Sequence, residues 1–170
     1  MNRKLLGLLC ILVCIYLDSV FFARINILGI RPDAMLAAVV SFAVHTGSAA
    51  GAGLGAAGGL LLDVLFGRSL GLYTAIYLCA GFGAGYFYKK FYADNVIIPA
   101  AFAAALGVVK ELLLALIVRL GGVSYSFLNV LGRYILPSAL LSGLLCALFH
   151  VILKPLTMPQ IKRRQVVLRR

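Results

Sequence analysis

The chain has 170 residues, 63% of them hydrophobic and 12% charged, with a formal net charge of +11 at pH 7. An ordinary globular domain is about 45–50% apolar, so this composition excludes a water-soluble domain and points to helices that cross a membrane. A spanning helix takes about 20 residues, so six spans would use about 120 and leave only short loops.

Taken in chain order, the first span is 5–22, preceded by Arg3 and Lys4. Its length, the presence of Asp18 and the lack of a small-x-small cleavage site make it an uncleaved helix rather than a secretory signal. The next apolar stretch, from Ala34 to Phe66, is long for one span and short for two. A turn at "HTGS" (His45 to Ser48) divides it into 34–46 and 49–66, with Pro32 at the helix start and Asp33 in the first turn, where a carboxylate meets the positive end of the helix dipole. Further spans follow at 72–88, 96–118 and 136–153, with Lys154 and Pro155 ending the last. The expected fold is therefore an all-α integral membrane protein, six transmembrane helices in one bundle over residues 1–153, followed by a basic tail, 154–170.

Charge favours six spans over five. With six, both termini share a side carrying ten Lys or Arg, against five on the other (Arg24, Arg31, Arg68, Arg119 and Arg133). The positive-inside bias then makes both termini cytoplasmic. The 34–46 helix is short, roughly 20 Å at 1.5 Å per residue, which suits a thinned bilayer or a helix buried within the bundle. Gly47, Gly51, Gly55 and Gly59 recur every four residues, the spacing at which small residues let helix backbones approach. That stripe reads chiefly as packing within the chain and makes the 49–66 helix the expected central one, although a partner protein or a second copy could use the same face.

Few residues suggest chemistry. Cys10, Cys14, Cys79 and Cys146 lie in apolar runs, without the spacing of a disulfide framework or a metal site. "GFGAG" at Gly81 to Gly85 lacks the strand and the spacing of a nucleotide loop, and no cofactor is implied. Ionisable residues within a membrane are costly and usually face partners inside the bundle. Asp18, Asp63, Lys110 and Glu111 fall at similar depth in the outer half and form an expected intramembrane polar cluster. Asp63 is expected to be one half of an ion pair, with Arg68 the nearest cation in sequence and Lys110 the nearest in depth. His45 and His150 are placed near the cytoplasmic rim, with no ionisable chain between them and the cluster to carry a proton relay. The tail brings Lys162, Arg163, Arg164, Arg169 and Arg170 together with Val166, Val167 and Leu168. Each basic residue near an anionic leaflet contributes about 1 kcal/mol, so the tail is expected to lie on lipid rather than on nucleic acid.

"RPDAMLAAVVSFAV" followed by "GGLLLDVLFGRSLGLYTAIYLCAGFGAGY" resembles the rod shape-determining protein MreD family across the whole chain. The most specific matches are Pro32 and Asp33, preceded by Arg31, and the series Asp63, Gly67, Arg68, Gly71, Leu72 and Tyr73. The resemblance implies a non-enzymatic component of the bacterial inner membrane that associates with MreC. With MreC it would link MreB filaments to RodA and the transpeptidase synthases of peptidoglycan. The family is also similar in fold to the six-helix substrate-binding subunits of energy-coupling-factor transporters, so vitamin binding is the alternative function. Such a subunit needs an outward pocket lined by aromatic and polar side chains. With no Trp and short outer loops apart from 120–133, the sequence favours the scaffold.

Overall fold

Gly47 divides the apolar stretch that follows Asp33. Its φ of 101° lies in the left-handed region that only glycine adopts without penalty, so one helix closes at Thr46 and the next opens at Ser48. This computed structural model describes residues 3–21, 32–66, 71–86, 96–122 and 127–167. Its long helices are α1 (Arg3–Tyr16), α2 (Ala34–Thr46), α3 (Ser48–Phe66), α4 (Leu72–Tyr86), α5 (Ile97–Leu120) and α6 (Leu136–Val167). α1 runs into a π turn, Leu17–Phe21, and α6 is entered through a short helix, Phe127–Val130, and a second π turn, Leu131–Ile135. Among the described residues, three segments are long and apolar enough to cross a membrane: α3, α5 and Leu131–Pro155. The segments Gly7–Phe21 and Ala34–Thr46 are apolar but shorter.

The centre of the molecule is α2, and not the glycine-rich helix that the small-residue stripe suggests. All but Thr46 of its thirteen residues are buried, and it touches each of α1, α3, α4, α5 and α6. A helix apolar on every side must be enclosed on every side, which accounts for its shortness without a thinned bilayer. α3 instead lies to one side, with Leu60, Val64 and Leu65 exposed.

The glycine stripe of α3 serves α4. A Cβ at Gly55 would collide with the Tyr77 carbonyl, one at Gly51 with Ala43 of α2 and with the Gly81 carbonyl, and one at Gly59 with the backbone of Tyr73 and Thr74. From the other side, a Cβ at Gly81 would meet Gly51 and one at Gly85 would meet Ser48. The two helices are thus zipped in antiparallel register, backbone against backbone, as small-xxx-small packing allows. Gly47 stands in the turn at one end of this seam, its carbonyl carbon 2.7 Å from where a Cβ on Gly85 would lie. Gly143 plays the same part between α6 and α5, against Ala100 and Ala104. Replacing Gly55 by Leu should therefore sharply lower the yield of monodisperse protein in detergent, whereas Gly53→Leu, at a position where a Cβ meets nothing within 4 Å, should not. Equal yields for the two variants would show that the seam is not tight.

Two further expectations are corrected. α6 does not stop at Lys154 and Pro155 but continues to Val167, because a proline costs a helix one N–H bond and helices near a membrane tolerate that loss. Lys162, Arg163 and Arg164 lie on this extension with side chains outside the described set, and Arg169 and Arg170 lie beyond the described residues. His45 and His150 face inward and not onto an interface. Both are buried, and their rings stack with centroids 4.4 Å apart, so they join α2 to α6 inside the bundle.

Candidate functional site

At the end of the bundle where α2 begins, the polar residues assemble around Asp33. Asp33 is the N-cap of α2, its Oδ1 accepting the Leu36 N–H at 2.7 Å, one residue earlier than the first-turn position read from the sequence. Its Oδ2 accepts the Tyr77 hydroxyl of α4 at 2.7 Å and lies 2.6 Å from Lys110 Nζ of α5. Its backbone N–H donates to Ser142 Oγ of α6 at 2.9 Å, and the Ser142 hydroxyl donates in turn to the Ser138 carbonyl. One residue thus ties three helices to the start of a fourth. Hydrogen bonds to a charged group contribute about 1.5–3 kcal/mol each, and here both Asp33 and Lys110 are buried.

Asp18 completes the cap. The π turn after α1 carries it to the same helix start, where Oδ1 accepts the Ala34 N–H at 2.9 Å and Oδ2 the Met35 N–H at 3.1 Å. A helix leaves its first N–H groups unpaired and its N-terminus partially positive, so two carboxylates satisfy α2 without a metal or a bound anion. Lys110 Nζ also contacts Glu111 Oε1 at 3.0 Å.

Asp63 stands apart from this group, and its partners among the described residues are the donors of a helix start. Its Oδ2 accepts the N–H groups of Gly71 (3.0 Å) and Thr74 (2.9 Å) and the Thr74 hydroxyl (2.6 Å), while Oδ1 accepts the Tyr73 N–H (3.0 Å). The ion pair expected with Lys110 is not formed, since Lys110 is taken by Asp33 and Glu111, and the N-terminus of α4 meets the carboxylate instead; the expected pairing with Arg68 lies outside the described residues. The reason is local. α4 opens at Gly71, whose φ of 100° needs glycine and which offers no side chain to cap the helix, so a carboxylate from the end of α3 does so. This accounts physically for the series Asp63, Gly71, Tyr73. Arg31 and Gly67 lie outside the described residues.

The group around Asp33 borders a cleft of about 260 Å³, which Tyr73 reaches from the Asp63 cap. Asp18, Asp33, Lys110 and Glu111 form its polar side, and Tyr73, Tyr77 and Tyr134 line it together with Leu62, Phe66 and Leu114. The sequence argument against an aromatic-lined pocket is overturned here, because the helices rather than the loops supply the rings. Tyr73 and Tyr77 stack with centroids 6.1 Å apart. Both π turns reach the cleft, one with Asp18 and the other with Tyr134, in keeping with the frequent use of such bulges at functional sites. Among the described residues, no three His, Cys, Asp or Glu side chains converge to hold a metal.

Sequence reasoning singled out Asp18, Asp33, Asp63, Lys110 and Glu111 but missed Tyr77 and Thr74, which donate to the carboxylates of Asp33 and Asp63, and Ser142, which accepts the Asp33 backbone N–H. Their one signal is a polar tip within an otherwise apolar helix.

No curated protein and no solved structure matches the chain. A family profile does match, that of the rod shape-determining protein MreD, over residues 1–159. With 159 of 170 residues covered and a bundle of apolar helices built on the motif residues, the chain belongs to the MreD family of rod shape-determining membrane proteins.

Proposed function

We propose that the chain is a non-enzymatic scaffold of the bacterial cell-elongation complex, binding MreC directly and thereby helping to couple MreB filaments to the synthases of peptidoglycan. The observation that carries this reading is the family match over nearly the whole chain. The geometry supports it, because the carboxylates of Asp18, Asp33 and Asp63 are engaged in holding helix ends and Lys110 is paired. A general base or a nucleophile needs a proton-accepting group free to meet a substrate. Cells depleted of the native protein should round up and recover rod shape when this chain is supplied. Rods that persist under depletion would remove the proposed role.

The orientation is part of the proposal: six spans in the inner membrane, residues 1–153, with both termini cytoplasmic and the basic tail 154–170 on anionic lipid. In a chain cleared of its own cysteines, thiols introduced at Ser69 and Ser126 should react with an impermeant reagent from outside, and those at Asp94 and Gln165 should not. Labelling of Gln165→Cys in intact cells would overturn the arrangement.

A further inference from the structure

The polar side of the cleft is unsuited to anions. Every helix N–H that could have met a carboxylate or a phosphate there already donates to Asp18 or Asp33. Both oxygens of Asp18 and of Asp33 act as acceptors, as ionised carboxylates do. Among the described residues, three carboxylates therefore face one ammonium, that of Lys110. Glu111 contacts Lys110 through Oε1, and no hydrogen bond reaches its Oε2 among the described residues. The cleft is also lined by the half-buried Tyr73, an aromatic ring of the kind that attracts cations, and by the apolar Leu62, Phe66 and Leu114. At about 260 Å³ the space is smaller than the pockets that take drug-sized ligands, roughly 300–1,000 Å³, and matches a group the size of a side chain.

We propose that this cleft binds an alkylammonium or alkylguanidinium group, whose cation meets Glu111 Oε2 and the face of Tyr73 while its stem lies against Leu62, Phe66 and Leu114. The same chemistry is presented by a Lys or Arg side chain of a neighbouring protein and by a free small amine. Neither needs a rearranged bundle, since the acceptor and the wall are already in place.

The test uses the full chain in lipid nanodiscs, titrated calorimetrically with butylguanidinium chloride and, at matched ionic strength, with sodium butyrate. Saturable heat from butylguanidinium alone is expected. Glu111→Gln should weaken it at least tenfold, and Leu114→Trp, which fills the cleft without touching a charge, should abolish it while the thermal midpoint stays near that of the parent. Equal binding of butyrate, or unchanged binding by both variants, overturns the proposal. So does a tenfold gain in affinity when Arg24, Arg31 and Arg68 are replaced by Gln, because the cleft would then be filled by the chain's own arginine. A photocrosslinker at Phe66 in living cells separates the two sources. A polypeptide adduct that disappears in Glu111→Gln identifies a basic side chain, a co-purifying amine found by mass spectrometry identifies a small molecule, and the absence of both rejects the site as one used in cells.

Discussion

Lys110→Met should be among the most destabilising single substitutions in the chain. It removes the cation 2.6 Å from Asp33 Oδ2 and leaves a buried carboxylate whose remaining partners cannot neutralise it. Breaking one side of a buried pair typically costs about 3–5 kcal/mol, a large share of the roughly 5–15 kcal/mol that holds a protein folded. Asp33→Asn added to Lys110→Met should recover much of that loss. The amide can still cap α2 through the Leu36 N–H, since Asn caps as well as Asp, and of the two carboxylates that Lys110 pairs only Glu111 is left without its cation. Denaturant unfolding in mixed micelles measures the cycle. A double variant as unstable as the sum of the two single ones would mean that Asp33 and Lys110 act independently.

Asp63→Leu should be nearly as severe, for a different reason. It strips the acceptor from three backbone N–H groups and the Thr74 hydroxyl, and each donor left unsatisfied in buried surroundings costs about 1–3 kcal/mol. A loss of about 3 kcal/mol or more is expected after partial rehydration of the helix end. Asp63→Asn should cost only about 1–2 kcal/mol, because the amide oxygen can replace Oδ2 and serve Gly71 and Thr74, while its NH₂ faces the Tyr73 N–H without bonding to it. Slower amide exchange protection at Tyr73 and Thr74 is the local readout: it should collapse in Asp63→Leu and persist in part in Asp63→Asn. If both variants protect these amides like the parent, the carboxylate is not the cap of α4.

How far the sequence discloses this arrangement depends on what carries each interaction. The limits of α2 are legible because Pro32, Asp33 and Gly47 each have a backbone preference that marks a helix end. The α3–α4 seam is legible in part: the four-residue glycine spacing shows that a backbone approaches, though not that the partner along the whole stripe is α4, with α2 also touching Gly51. The partner of Asp63 is hidden, since the N–H groups of a helix start act as a cation that no residue letter records. The one clue is Gly71, a helix opening without a Ser, Thr, Asp or Asn to cap it. Lys110 and Asp33 are separated by 77 positions, and nothing local couples them. The π turns that bring Asp18 and Tyr134 to the cleft leave no trace in hydrophobic periodicity, because a single wide turn shifts the pattern by less than the spacing of apolar residues in so apolar a chain.

The central claim is that these buried charges hold a scaffold together for a protein partner. Co-purification tests it most directly: the tagged chain is extracted from growing cells beside Asp63→Asn and Asp63→Leu, and proteins and bound small molecules are identified by mass spectrometry. MreC should accompany the parent chain in near-equal amount and Asp63→Asn nearly as well, and should be lost with Asp63→Leu in proportion to the folded protein recovered. A parent chain that brings down transporter subunits and a vitamin instead of MreC, with Asp63→Asn folded but empty, would contradict the account.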